Sequence, residues 1–481
     1  MDILKCSALE ISKKIKEKEL SVIEVMNTVL DLIETENETY NCFNYIAKKE
    51  AIDRALEVQQ KIEKNELNSP IAGVPIAIKD NICIKGMSTT CSSNILKNFI
   101  PQYSATVIEK LKKAGAIVIG KTNMDEFAMG STSETSCFGS VKNPYNSLYV
   151  AGGSSSGSAA SVALNEAYFA LGSDTGGSVR QPAGYCNVVG LKPTYSRVSR
   201  YGLIAYASSF DQIGPICKNV SDCASVYQII AGYDEKDSTT ANREVEGLDF
   251  KCIKNIKGLK IGIPKDYFEL QMEDEVKENI LNAIKIFEEN GADIEEFELG
   301  YSEYAVPTYY TIAMAQASSN LERYDGVKYG YRTDNYDGLH EMYKNTRSEG
   351  FGNEVKRRIM MGTFVLSSGY YEEYYLKALK VRELIKKRFD EVFDKYDLIL
   401  MPVSACTAPK LGESLKNPIE MYNGDIFTVL ANLTGIPAIS IPYGRDKKGL
   451  PIGLQLMANN FKEKKLLETA YAFEQIVRER K

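Results

Sequence analysis

The 481-residue sequence predicts an α/β layered fold, and three observations carry that expectation. Apolar runs of strand length alternate with stretches of helical period. Those strand-length runs are apolar throughout, the pattern of buried strands. Hydrophobic residues make up 44% and charged residues 25%, so the chain can bury a large core and does not have the composition of a disordered one. Length alone allows about three ordinary domains or one large α/β unit. Neither an internal repeat nor a clear linker divides the chain.

The elements follow in order. The chain opens with helical patterns. Ser21 and Glu24 form a capping box ahead of the apolar series Val22, Val25, Met26, Val29, Leu30 and Ile33, and a charged helical stretch follows to about residue 66. Residues 71–78 read as a strand that ends abruptly in Lys79-Asp80-Asn81. Ser104 is positioned to cap a helix that stops near Gly115, and residues 116–119 read as the next strand. Between residues 131 and 178 the composition changes, to 12 Ser and 7 Gly in 48 residues. A low-complexity linker has such a composition. Residues 159–164 form helix readily, however, and residues 168–171 read as a buried strand. The region is therefore read as two tight Ser/Gly loops on rigid elements. Residues 259–263 read as a strand, 275–289 as a helix and 293–299 as a strand. A long amphipathic helix over 372–396 leads into a strand at 398–401, and a helix with a charged, solvated face spans 462–480.

Composition excludes several chemistries. There is no Trp and one His, His340. A Ser-His-Asp triad would have to use His340, and a multi-His metal site cannot be built. The charge balance, 58 basic against 64 acidic residues, lacks the basic excess of a chain that grips nucleic acid alone, although a local patch stays open. The ten cysteines are Cys6, Cys42, Cys83, Cys91, Cys137, Cys186, Cys217, Cys223, Cys252 and Cys406. No two form a C-x-x-C pair, which argues against a zinc ribbon, and free thiols in a reducing cytosol are expected. The N-terminal residues show no apolar signal-peptide core, and no run approaches the ~18 apolar residues of a membrane span. The expected location is the cytoplasm, without membrane association.

Two loops are candidates for chemistry: Gly152-Gly-Ser-Ser-Ser-Gly-Ser158 and Gly172-Ser-Asp-Thr-Gly-Gly-Ser-Val-Arg-Gln-Pro182. A Walker A loop fails because Ser158 holds the lysine position, and no G-x-G-x-x-G is present. Neither Ser154 nor Ser178 lies in a G-x-S-x-G elbow. A serine nucleophile with a base other than His survives. Gly176 and Gly177 before Ser178 allow a tight turn whose N–H groups could face one oxyanion. Lys79 is a candidate base because it ends an apolar strand. Bringing a lysine near pH 7 takes a shift of roughly 3 units, about 4 to 5 kcal/mol, which only a built site sustains. Read alone, Lys79 stays open to the plainer reading of a strand-end lysine, and Ser154 to that of a turn residue.

Residues 152–183 match a longer pattern: G-G-S-S-S-G-S-A-A-S-V-A, a short spacer, then A-L-G-S-D-T-G-G-S-V-R-Q-P-A. With Pro75-Ile-Ala-Ile-Lys-Asp-Asn81 upstream, the chain resembles the amidase signature family. The resemblance implies that family's fold, a large mixed β-sheet covered by helices on both faces. It implies a single domain over 1–481, its helical N-terminal region (about 1–66) packed on the core. It implies Ser178 as nucleophile, Ser154 as a bridging serine after a cis peptide from Gly153, and Lys79 as the base that draws a proton through Ser154. The N–H groups around Thr175, Gly176 and Gly177 would form the oxyanion hole. Ser156 departs slightly, since many relatives have Gly there.

Further segments narrow the resemblance: Tyr309-Tyr310, 317–327, 354–360 with Gly362-Thr363, 368–371, and 425–428 with 431–437. These are similar to the glutamine-hydrolysing A subunits of tRNA-dependent amidotransferases. That resemblance implies a glutamine pocket lined by Tyr309, Arg358 and Asp425, with Arg358 on the substrate carboxylate and Asp425 on its ammonium. Read alone, each of the three is open to a surface or structural role. Gln316 stands where these relatives usually have Glu. The implied reaction releases ammonia from glutamine and passes it to a B subunit, which uses ATP and Mg²⁺ to convert Glu-tRNA(Gln) to Gln-tRNA(Gln). A small C subunit would complete a heterotrimer, with no cofactor or metal in this chain. The alternatives are a free-standing amidase acting on another amide and a non-catalytic scaffold. Whether asparagine also donates, or Asp-tRNA(Asn) also accepts, is open at this point.

Overall fold

The computed structural model describes residues 3–248, 256–413 and 416–480. The described residues form thirteen strands: β1 Phe43–Ile46, β2 Pro75–Lys79, β3 Ile117–Thr122, β4 Lys142–Asn143, β5 Asn146–Val150, β6 Phe169–Asp174, β7 Val189–Lys192, β8 Gln212–Cys217, β9 Lys260–Pro264, β10 Asp293–Phe297, β11 Leu398–Pro402, β12 Ala438–Arg445 and β13 Pro451–Ala458. Eleven of them make one sheet in the order β1-β3-β2-β6-β8-β7-β12-β13-β11-β9-β10, and β4 and β5 form a separate hairpin. The sheet is mixed. β3, β2 and β6 run parallel to one another, as do β11, β9 and β10. The strands between are antiparallel.

Every residue of β2, β3, β6, β7, β8, β11 and β13 is buried. Alternate side chains of a strand point to opposite faces, so complete burial means that both faces of the sheet are covered. Ile11, Ile15 and Val22 to Ile33 of the N-terminal helices belong to the same apolar cluster as the central strands. The helix Val22–Tyr40 has the expected capping box, with Ser21 Oγ accepting from Glu24 N–H and the Glu24 side chain accepting from Ser21 N–H.

Several elements differ from expectation, each for a local reason. The helical stretch to residue 66 is broken: Asn41 takes a left-handed conformation (φ 57°), β1 pairs antiparallel with β3, and a second helix covers Lys48–Glu63. Residues 71–74 of the first apolar run form turns, and the strand begins at Pro75. Ser104 does not cap the Thr106–Lys113 helix. The cap position falls on Ala105, and Ser104 Oγ accepts from Lys85 N–H at 3.2 Å. The long helix over 372–396 divides into a π-helical turn, Tyr371–Leu376, and an α-helix, Lys377–Phe393. The ring pairs Tyr370–Tyr374 and Tyr371–Tyr375 lie along that wide turn. The nine described cysteines are free thiols, and Cys252 lies outside the described residues. No helix among the described residues is long and apolar enough to cross a membrane.

Candidate active site

β2 ends on Lys79 with its neighbours β3 and β6 running parallel to it, so the loop after β6 opens at the edge where Lys79 sits. The lysine is fully buried. Its Nζ donates to Ser154 Oγ at 2.7 Å, Ser155 Oγ at 2.9 Å and the Ser173 carbonyl at 3.2 Å. All three acceptors are uncharged. Burial therefore wins over the more distant Asp125, Asp174 and Asp211, and brings the Lys79 pKa down to about 7. Such a lysine exchanges a proton near neutrality. The Gly153–Ser154 peptide is cis. Ser155 was not singled out from the sequence, yet it joins the two loops: its N–H donates to the Ser178 carbonyl at 3.0 Å, and its Oγ donates to the Ser173 carbonyl at 3.2 Å.

Asp174 shapes the second loop. Its carboxylate accepts from the N–H of Gly177 at 2.9 Å and of Val179 at 3.1 Å, and takes both Nε and Nη2 of Arg180 at 3.0 Å. Burial opposes its charge, but Arg180, with Lys192 and Asn432, outweighs it and holds the Asp174 pKa well below the usual carboxylate range. Arg180 goes on to Thr428 and Asn432, tying the loop to the segment that follows Asp425. The turn needs its glycines. Gly177 has φ 129°, and a side chain there would come within 2.6 Å of Thr428 Cβ. A side chain on Gly176 would come within 2.6 Å of Tyr309 Cζ. Gly177 departs from the oxyanion-hole expectation, because its N–H is already taken by Asp174. Among the described residues, the N–H groups of Thr175 and Gly176 have no acceptor. Thr175 Oγ1 is fixed on Asp211 Oδ1 at 2.7 Å.

Ser178 opens into a narrow pocket with Gly153, Gly176, Tyr309, Arg358 and Asp425. The predicted pocket residues thus come together, with the predicted nucleophile, although Tyr309, Arg358 and Asp425 lie on three separate segments. Arg358 is buried, donates to Glu354 Oε1 and Tyr206 OH at 2.8 Å, and lies over the rings of Tyr206, Tyr310 and Tyr422. Burial pushes the Asp425 pKa up to about 7, against the Tyr310 hydroxyl that donates to it at 2.6 Å. Tyr206 and Tyr310 were missed as pocket residues, and Glu354 as the partner of Arg358, since each reads as ordinary core or helix surface until the chain folds. Gln316 is not part of this pocket. It clamps Ser209, accepting from its N–H at 2.9 Å and donating to its Oγ at 2.8 Å. His340 is exposed and lies outside the pocket. Among the described residues, no cluster of His, Cys, Asp or Glu is arranged to hold a metal ion.

A mixed sheet that buries a lysine on a serine beside a glycine turn defines an α/β serine hydrolase with a lysine in place of histidine. The chain belongs to the Amidase family, whose model matches residues 24–467. It is 60% identical over 475 residues, 99% of each chain, to the A subunit of the glutamyl-tRNA(Gln) amidotransferase of Lachnospira eligens. It is 53% identical to the Heliobacterium modesticaldum protein of the same name, over 98% of this chain and 96% of that one. The crystal structure of the glutamyl-tRNA(Gln) amidotransferase A subunit from Thermotoga maritima matches with a TM-score of 0.80 and 41% identity, over 99% of this chain and 95% of that one. The native peptide amidase from Stenotrophomonas maltophilia, 27% identical, matches with a TM-score of 0.81 over 98% and 97% of the two chains.

Proposed function

We propose that this chain is the glutamine-hydrolysing component of a tRNA-dependent amidotransferase, releasing ammonia with Ser178 as nucleophile. The observation that carries this reading is the pocket lined by Ser178 together with a buried cation, Arg358, and an acid, Asp425. An amide substrate with both a free carboxylate and a free ammonium satisfies that pair. A generic amide engages neither group, so the pair favours an amino-acid amide over other amides. Full-length similarity to proteins named as the A subunits of such enzymes supports the same reading.

In the reaction, neutral Lys79 accepts the Ser154 hydroxyl proton as Ser154 takes that of Ser178. Ser178 Oγ attacks the side-chain amide carbon of glutamine. The oxyanion is met by the N–H groups of Thr175 and Gly176, and the Asp174–Arg180 pair fixes the turn that aims them. The proton returns along the same route to the leaving nitrogen, and ammonia departs. Water then resolves the γ-glutamyl ester with the roles of the base repeated. Arg358 and Asp425 hold the substrate's α-carboxylate and α-ammonium, so the reactive amide lies over Ser178.

Ammonia then serves a B subunit, which activates Glu-tRNA(Gln) with ATP and Mg²⁺ and forms Gln-tRNA(Gln), while a small C subunit joins the pair. This chain uses no cofactor of its own and works in the cytoplasm with the aminoacyl-tRNA. Co-purification with candidate B and C subunits, followed by transamidation assays on Glu-tRNA(Gln) and Asp-tRNA(Asn), tests the assignment. Partner- and tRNA-stimulated glutaminase activity is expected. Ammonia release indifferent to partners, and to the α-groups of glutamine, would instead make the chain a free-standing amidase.

A further inference from the structure

We propose that Asp125 is a positioning residue for this reaction: its buried carboxylate backs the Gly153–Ser154 segment and sets an anionic charge behind the Lys79–Ser154 pair. The proposal rests on the reading of Lys79 as the base. Asp125 follows β3 in Lys-Thr-Asn-Met-Asp-Glu, residues 121–126, and is fully buried. Its Oδ1 accepts from Thr135 Oγ1 at 2.9 Å. Its Oδ2 has no hydrogen-bond partner among the described residues. Two glycines make room for it. A methyl group on Gly153 would overlap Oδ2, and one on Gly130 would overlap Oδ1. Both glycines line the substrate pocket. The carboxylate therefore stands directly behind the pocket wall, against the residue that precedes Ser154.

A buried carboxylate with one unanswered oxygen costs stability, and a neutral amide would fill the same volume at less cost. What the carboxylate adds is charge. Lys79 is surrounded by Asp125 from the segment after β3, Asp174 at the end of β6, Asp211 before β8, and the Cys91 thiol. Asp174 is bound to Arg180 at hydrogen-bond distance. Asp211 is spent on Thr175 and on the N–H groups of Tyr206 and Ala207. Asp80, next to Lys79 on the chain, pairs with Lys121 at 3.2 Å. Asp125 pulls most strongly toward the charged lysine, and it also faces Arg358. Burial raises the Asp125 pKa to about 6, against the Ser133 N–H, the Thr135 hydroxyl, Lys79 and Arg358, so its charge is present above that pH, where the reaction runs.

Removing this charge should let Lys79 lose its proton at lower pH and make it a weaker base. In the assembled enzyme, Asp125→Asn is expected to move the acid limb of kcat at saturating glutamine downward by about half a pH unit or more. The plateau kcat should fall several-fold, and KM should stay within roughly 2-fold. Should Asn impair folding, Asp125→Ser removes the same charge with a smaller side chain and carries the same expectation. A limb that stays at the wild-type pH overturns the proposal, whether or not the rate falls, because packing damage alone lowers the rate without moving the limb. Lys79→Ala, measured alongside, separates the two claims. If it is inactive while the Asp125→Asn limb is unmoved, only the role of Asp125 is lost. If it retains activity, the base assignment falls and the proposal with it.

Discussion

At the scale of single residues, the chemistry depends on two groups held far from their ordinary protonation. Lys79 is brought down to about 7 and Asp425 up to about 7, both chiefly by burial. Catalysis needs Lys79 neutral and substrate binding needs Asp425 anionic, so both conditions improve as pH rises through neutrality. The two can be separated. Lys79→Ala should lower kcat/KM for glutamine by about 10²- to 10⁴-fold, the range of a general base, whereas His340→Ala should change it by less than about 2-fold. Asp425→Asn should raise KM by roughly 10- to 100-fold, the worth of a charged hydrogen bond, and should abolish the fall of KM between about pH 6 and 8 while leaving the acid limb of kcat. Steady-state kinetics across that range read out all three variants. Lys79 was visible in the sequence because an apolar strand ends on it. Arg358 and Asp425 were visible only through resemblance, because nothing local distinguishes a pocket arginine from a surface one. Asp125 and Ser155 were not seen, since their importance comes from contacts between segments far apart in the chain.

At the scale of elements, the site is two loops fixed by one buried ion pair. Asp174 and Arg180 lie six residues apart and are both fully buried. Arg180→Met should destabilise the protein by about 3 to 5 kcal/mol in denaturant unfolding, because it leaves Asp174 buried without its cation. The same change should lower kcat more than it raises KM, since the turn before Ser178 is what loses support. The Ser/Gly loops were legible because glycine pairs and small residues constrain a turn wherever they occur. The helix Ser302–Asn320, which carries Tyr309, was not. Residues on most of its sides are buried, so it lacks the one-sided apolar period by which helices are read. β7, β8, β12 and β13 were likewise missed: strands buried along most of their length show no polar alternation, and their pairing depends on partners far along the chain.

At the scale of the whole molecule, an eleven-stranded sheet buries enough surface to hold ionisable groups in unfavourable states outside the site as well. Glu166 is fully buried beside the Cys42 thiol, and burial raises its pKa to about 8. Below about pH 4.5 folded and unfolded chains both hold this proton. Between there and about 8 only the folded chain does, so this group costs the fold more stability as pH rises through that window. Glu166→Gln should therefore raise Tm, by more at about pH 8 than at about pH 5, in parallel thermal melts. The layered α/β class was readable from alternation alone, whereas the strand order was not, because most neighbours in the sheet are distant in sequence. The central claim, that Ser178 is the nucleophile of a glutaminase, is tested most directly by acid-quenching the assembled enzyme during turnover of glutamine and mapping modified peptides by mass spectrometry. A γ-glutamyl ester on Ser178, absent together with ammonia release in Ser178→Ala, is the predicted result. An adduct on another residue, or undiminished ammonia release from the Ser178→Ala enzyme, would contradict it.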